Sequence, residues 1–378
     1  MSIGLYIHVP FCIKKCNYCD FISYPYDAGL AASYVCALQQ EMAAHVQNMP
    51  SENREVKSLY LGGGTPTTLS GGQLAAIVES CRRHFTVAPD AEITVECNPC
   101  TVDLAKFSQL HEAGVNRISI GVQAHQHKLL TLLGRIHSWR EVEEAVKNSK
   151  RAGFDNISFD LIFGIPGQSV RNWQETMDRV LELSPQHISA YNLKIEPDTP
   201  LHRDMTAGYL VPCDEDLELE MYWNTIDVLT RAGFNHYEIS NFGLPGREAK
   251  HNLIYWLNRE YLGLGPAAHS MLEARRFSNI ESVEIYISKL QKGETVIGST
   301  HLLSREEQMS ETVFLGLRMI DGLELDIFEQ EYGQSIFTVY HTQINKLTSM
   351  GLLELAENRL KLTATGLPLA NVVFAEFI

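Results

Sequence analysis

Short apolar, β-branched runs recur along the first half of the chain. They are separated by longer stretches with apolar residues at three- and four-residue spacing. The runs at 3–9, 56–61, 92–96, 117–121, 156–162 and 187–193 read as strands, and the stretches 28–48, 72–84, 102–113, 139–152 and 170–183 read as helices. Gly114, Gly153 and Gly233 follow helix ends, the last closing a helix that begins near Asp214. Glycine just past a helix end is a C-cap signal.

Strand–helix alternation implies βαβ units on a mostly parallel sheet. A closed eight-unit barrel needs about 250 residues. Six units before residue 195 therefore favour an incomplete (β/α)6 barrel with an open side, although alternation alone does not exclude a doubly wound sheet. Past residue 235 the strand signals become sparse and short. From Ser304 the pattern is helices, then a hairpin with strands at 351–357 and 360–363 around Asn358-Arg359, as in a winged-helix-like module. The expected division is an α/β barrel over 1–235 and a smaller, mostly helical unit over 236–378.

Composition narrows the function. The 378 residues carry a net charge of −15 and are 45% hydrophobic, an ordinary globular balance. The acidic excess argues against a general nucleic-acid binder, and the terminal module is not basic, so packing is its better reading. No stretch approaches the roughly 20 apolar residues of a membrane span. The first residues lack the basic and apolar regions of a signal peptide, so a cytoplasmic protein is expected. In such a chain the eight cysteines are free thiols or metal ligands.

Cys12, Cys16 and Cys19 form C-x3-C-x2-C directly after the first strand. Three thiolates this close can hold three corners of a [4Fe–4S] cube and leave the fourth iron free to bind a small molecule. Lys14 and Lys15 could offset their charge. A zinc site or unrelated thiols are the alternatives, but structural zinc usually takes four ligands and Cys36 lies too far on, within a helix. Cys97 and Cys100 read as non-ligands, Cys36, Cys81 and Cys213 as buried thiols, and His8 as a neighbour of the cluster rather than a ligand.

The cysteine spacing resembles the signature of radical S-adenosylmethionine enzymes. The strings Tyr6-Ile-His8-Val-Pro-Phe-Cys12 and Tyr18-Cys19-Asp20-Phe21 are similar to one branch of them, which holds oxygen-independent coproporphyrinogen III oxidase and the HemW heme chaperones. Gly62-Gly-Gly-Thr65, Glu96-x-Asn98-Pro99, Arg117-x-Ser119-x-Gly121-Val-Gln123, Leu133-Gly134-Arg135-x-His137 and Asp160-Leu-Ile-x-Gly164 agree. The resemblance implies bound S-adenosylmethionine, one molecule or two. By resemblance its contacts fall to Tyr6, Tyr18, Gly63, Gly64, Thr65, Glu96, Gln123, Arg135 and Asp160. It also implies one-electron cleavage of the sulfonium to a 5′-deoxyadenosyl radical, and a reductant protein such as flavodoxin or ferredoxin. The residue types agree: polar groups at the C-terminal ends of parallel strands face the active site, and glycines 63 and 64 would let backbone approach a ligand closely.

Three departures from the oxidase favour the chaperones. Phe21 stands where the oxidase has a further cysteine, the cysteines lie almost at the N-terminus where the oxidase has a long preceding segment, and His251-Asn252-Leu-Ile-Tyr255-Trp256 matches the chaperones' H-N-x-x-Y-W string. By resemblance that string is associated with heme. An imidazole from His251 could ligate heme iron, with Tyr255 one helical turn on. The alternative is a packed, hydrogen-bonded histidine. Gly263-Leu-Gly-Pro-Ala-Ala-His269 reads as a loop on the cofactor side without a readable role. The expected function is heme binding and transfer to hemoproteins, with oxidative decarboxylation of coproporphyrinogen III as the alternative.

Overall fold

The computed structural model describes residues 2–50 and 54–378, apart from the side chain of Asn48. Its centre is a sheet of twelve strands. Six parallel strands, Ser2–Val9, Glu55–Gly63, Thr86–Cys97, Arg117–Gln123, Ile157–Phe163 and His187–Asn192, lie side by side in chain order, with helices between successive strands. This is the open (β/α)6 barrel. Helices Ala28–Asn48, Gly71–His84, Leu104–Glu112, Trp139–Arg151 and Val170–Glu182 match the periodic stretches.

Alternation along the strands explains the layering. Ile3, Leu5, Ile7 and Val9 are almost wholly buried and join Tyr34 and Leu38 of the first helix in the main core. The positions between them, Tyr6 and His8, pair laterally with Tyr60 and Gly62 of the next strand. Further along, Glu96 pairs with Ser119, Gly121 with Asp160, and Asp160 with Ser189. One face of the sheet is thus apolar under the helices, and the other carries a polar row.

Residues 236–302 differ from the sequence expectation. They add strands to the main sheet instead of forming a helical unit. Asn235–Glu238 and Asn241–Gly243 extend one edge beyond His187–Asn192. Tyr261–Leu264 pairs parallel with the first strand, and His269–Leu272, Arg275–Asn279 and Ile297–Leu302 follow antiparallel. These strands have four to six residues and polar faces, too short and too mixed for a clear period-two signal. The expected boundary at 235/236 falls within this sheet.

A separate core gathers Val313, Phe328, Ile344, Leu360 and Val373. It packs helices Arg305–Gly316, Leu325–Tyr332 and Ile336–Ser349 against a small three-stranded antiparallel sheet. The hairpin turns at Glu357 and Asn358, with strands Leu353–Ala356 and Arg359–Leu362, one residue earlier than the pattern suggests. Both turn residues have positive φ (51° and 62°), as a two-residue type I′ turn requires. Among the described residues, no helix is long and apolar enough to cross a membrane.

Candidate functional site

The cysteine loop is closed at its base. Phe11–Cys12 pairs in parallel with Tyr24–Pro25, and the Tyr26 amide donates to the Cys12 carbonyl at 2.9 Å. Within the loop Asn17 is the staple. Its amide donates to Leu133 O at 2.9 Å, its side chain donates to Leu132 O at 2.8 Å, and its carbonyl accepts from the Leu201 amide at 2.8 Å. The turn it grips, Leu133-Gly134, leads directly into Arg135.

Cys12, Cys16 and Cys19 are partly exposed and line one cavity of about 500 Å³. Cys12 Sγ lies 3.6 Å from Thr65 Oγ1, and Arg135 Nη1 donates to Cys16 Sγ at 3.6 Å. Burial raises the thiols of Cys12 and Cys19, the latter to about 11. Burial outweighs the nearby charges of Arg135 on Cys12 and Lys15 on Cys19, so iron or zinc would have to displace the thiol protons. Among the described residues, no three His, Cys, Asp or Glu side chains converge on a point suited to a single metal ion. Ligands of a cube are instead spread around a body several ångströms across, and three thiols on a common cavity wall suit that demand.

The same cavity is lined by Tyr18, Gly63, Gly64, Thr65, Glu96, Gln123, Arg135 and Asp160. Tyr60 OH donates to Glu96 Oε1 at 2.7 Å. Burial pushes the Glu96 carboxyl up to about 7, with the Asp160 carboxyl adding to the rise and the Tyr60 bond opposing it. Ser119 Oγ donates to both Asp160 oxygens, at 3.2 and 3.0 Å, and burial raises this carboxyl too. Gln123 takes a positive φ of 65° where the ladder to the next strand slips by one residue. Such strain in a non-glycine residue is characteristic of functional sites. Arg135 Nη2 donates to Gly121 O at 2.8 Å, while its buried Nε has no partner.

The glycine run also meets a packing demand that the sequence does not show. A Cβ on Gly64 would lie 2.7 Å from Phe11 O, and one on Gly63, at φ 105°, would lie 2.6 Å from the His8 ring. The close approach is made by the protein itself: this turn packs against the start of the cysteine loop. His8 is fully committed, its Nε2–H donating to Ile22 O at 2.9 Å and its Nδ1 accepting from Tyr6 OH at 3.2 Å.

Two of the expected contact residues lie elsewhere. Tyr6 faces a second cavity. His251 is buried beneath the barrel wall, its ring stacked against Tyr60 with centroids 5.0 Å apart. Ser58 Oγ lies 2.7 Å from its Nδ1 and Tyr255 OH lies 2.9 Å from its Nε2. Burial lowers its pKa to about 3, so the ring is neutral and both nitrogens are used. The helix Lys250–Trp256 that carries it starts on Glu92, whose carboxylate accepts the amides of Lys250 and His251, each at 3.2 Å. As placed, His251 offers no nitrogen to a ligand. Cys81 is buried as expected, but Cys36 is exposed and Cys213 half-buried.

Sequence reasoning missed Asn17, Tyr60 and Ser119 as parts of the site. Tyr60 and Ser119 were readable in principle, because each lies two residues before a glycine of a quoted motif and so on the same strand face. Asn17 carried no such signal, since its partners lie more than a hundred residues away.

An open barrel with three loop thiols beside a polar strand-end row defines a radical S-adenosylmethionine scaffold. The model of the radical SAM superfamily matches residues 6–180, and that of the HemN C-terminal domain matches 303–369. The heme chaperone HemW of Bacillus subtilis is 36% identical over 374 residues, covering 99% of this chain and 98% of that protein. That of Escherichia coli is 38% identical over 273 residues, 71% and 69% of the two chains. The solved structure of coproporphyrinogen III oxidase (HemN) from Escherichia coli, described as a radical SAM enzyme, superposes with a TM-score of 0.87 at 26% identity, covering all of this chain and 90% of that one. The chain belongs to the HemW family.

Proposed function

We propose that this protein is a cytoplasmic heme chaperone that carries a [4Fe–4S] cluster on Cys12, Cys16 and Cys19, binds S-adenosylmethionine beside it, and transfers heme to hemoproteins. The observation that carries the reading is the match to HemW relatives along almost the whole chain, joined to the three-thiol cavity. In this reading residues 1–235 carry the six barrel strands, and 236–378 add edge strands to the same sheet before the terminal helical module.

When bound, the cluster and S-adenosylmethionine supply one-electron cleavage of the sulfonium. The chain's own residues do the positioning. Arg135 would hold positive charge against the Cys16 thiolate and offset the negative charge of the ligand set. Glu96, pushed by burial up to about 7, is part-protonated near neutrality and so can donate as well as accept hydrogen bonds to a nucleoside, and Asp160 lines the same wall. Tyr18, Thr65 and Gln123 complete the wall. In the same proposal a flavodoxin- or ferredoxin-like protein reduces the cluster.

The second reading, oxidative decarboxylation of coproporphyrinogen III, is weakened by Phe21. It stands at the position of the oxidase's additional cysteine and is 61% exposed at the cavity wall. The test is anaerobic. Protein with a reconstituted cluster is given reductant, S-adenosylmethionine and coproporphyrinogen III, and separately given heme and then a heme-free respiratory hemoprotein. Heme uptake and release without vinyl product is expected. Vinyl product would overturn the chaperone reading in favour of the oxidase.

A further inference from the structure

A second cavity, also about 500 Å³, lies directly beyond the cysteine loop. Asp20 and Phe21 line both cavities, so the segment after Cys19 lies between them. Its volume is in the range of small-molecule sites. Aromatic rings dominate its wall: Tyr6, Phe21, Tyr255 and Tyr261. Tyr255 and Tyr261 meet edge to face with centroids 4.7 Å apart. Such rings suit a flat aromatic ligand.

Two histidines face this space. His8 has both nitrogens engaged, as described above. His269 is exposed, and its imidazole has no hydrogen-bond partner among the described residues. Its position is well defined. It opens the strand His269–Leu272, pairs there with Ser278, and follows a loop pinned at both ends. The Gly265 amide donates to the buried Glu41 at 2.8 Å, and the Ala267 amide donates to Ile280 O at 2.9 Å.

We propose that this cavity is a metalloporphyrin site in which His269, and not His251, supplies the axial imidazole. The inference deepens the heme reading and rests on it. The heme-associated string reaches the cavity through Tyr255, which lines it, while His251 lies one layer inward and holds the Tyr255 hydroxyl. His251 is then a positioning residue for an aromatic wall. The charged residues on the lining are Asp20 and Glu281, with no lysine or arginine. A porphyrin bound there would be held by the aromatic wall, with the His269 imidazole as the nitrogen donor available to its iron.

The test is titration of ferric heme into the full chain, followed by Soret absorption and electron paramagnetic resonance, for wild type, His269→Ala and His251→Ala. Loss of a metal ligand's mere supporting contact costs 10- to 100-fold, so His269→Ala is expected to weaken heme binding by at least about tenfold and to lose the imidazole-ligated spectrum. Added free imidazole should restore that spectrum. His251→Ala should keep that spectrum while binding heme more weakly, because it removes only the support of Tyr255. A His269→Ala protein with wild-type affinity and spectrum would overturn the assignment, as would loss of the signature in His251→Ala alone. Wild type that takes up no heme would overturn the chaperone reading itself, which the variants would not.

Discussion

Arg135 reaches across from the fourth strand's loop and donates through Nη1 to the Sγ of Cys16, while Nη2 is held by the Gly121 carbonyl. The contact exists because Asn17 staples the cysteine loop to the turn that launches Arg135. One end of the guanidinium is anchored and one faces the thiols, which is the arrangement expected of a fixed positive charge beside an anionic centre.

Removing that charge has a direction. Arg135→Gln should retain the fold but bind S-adenosylmethionine about tenfold more weakly, close to 1.4 kcal/mol. With less positive charge beside it, the reduced and more negative cluster is disfavoured, so its midpoint potential should fall. Calorimetric titration and redox potentiometry measure the two effects. Unchanged affinity and potential would remove Arg135 from the site.

Gly64 tests whether the glycine turn is a matter of packing. A Cβ there meets the Phe11 backbone at 2.7 Å, and backbone cannot swing away as a side chain can. Gly64→Ala should destabilise the protein by about 1–3 kcal/mol, the usual cost of overpacking. It should also displace the cysteine loop, seen as poorer iron retention after reconstitution. Gly72, with nothing within 4 Å of an added Cβ, is the matched control.

Glu41 gives a pH signature away from the cluster. Its carboxylate accepts from Gly265 N at 2.8 Å, Asn279 Nδ2 at 2.5 Å and Tyr286 OH at 2.6 Å, with His45 Nε2 3.9 Å away and Tyr34 nearby. Burial nevertheless raises it from 4.5 to about 7. The folded state then holds the proton more tightly than the unfolded state. The resulting stability is complete below the unfolded value and is lost as pH rises through about 7. Denaturation between pH 5 and pH 8 should show a falling stability, and Glu41→Gln should flatten it by up to about 1.4 kcal/mol per pH unit. Glu96 carries a similar shift, so the difference between the two proteins isolates Glu41. Parallel curves for wild type and variant would contradict this.

Arg318 joins the terminal core to the sheet. Nη2 donates to the fully buried Glu238 at 3.2 Å, and the guanidinium sits 4.2 Å over the Trp256 ring. Asn241 and the Ser240 amide also donate to Glu238. Arg318→Ala strands a buried carboxylate and should cost about 3 kcal/mol in chemical denaturation. A loss below about 1 kcal/mol would mean that Asn241 and Ser240 suffice.

The first half of the chain was legible because long alternating strands and amphipathic helices carry strong periodicity. The cysteine loop, Glu96, Gln123, Arg135 and Asp160 were named from motif resemblance and strand-end position, and the structure places them on one cavity wall. The region after 235 was not. Its strands are short, and the pairing of Tyr261–Leu264 with the first strand is a contact across the whole chain that no local pattern encodes. The surroundings of His251 were hidden for a related reason: the string shows an imidazole one turn from a tyrosine, but not that Ser58, nearly two hundred residues earlier, occupies its other nitrogen. His269 gave no periodic signal at all, because its significance lies in being free on a cavity wall.

The most direct measurement is electron paramagnetic resonance of anaerobically reconstituted, reduced protein, with iron analysis, with and without S-adenosylmethionine. Wild type should hold about four irons per chain and show a cluster signal that S-adenosylmethionine perturbs, while the protein with Cys12, Cys16 and Cys19 all changed to Ala should hold none. A cluster that forms equally well in the triple variant, or a wild-type signal indifferent to S-adenosylmethionine, would contradict the account.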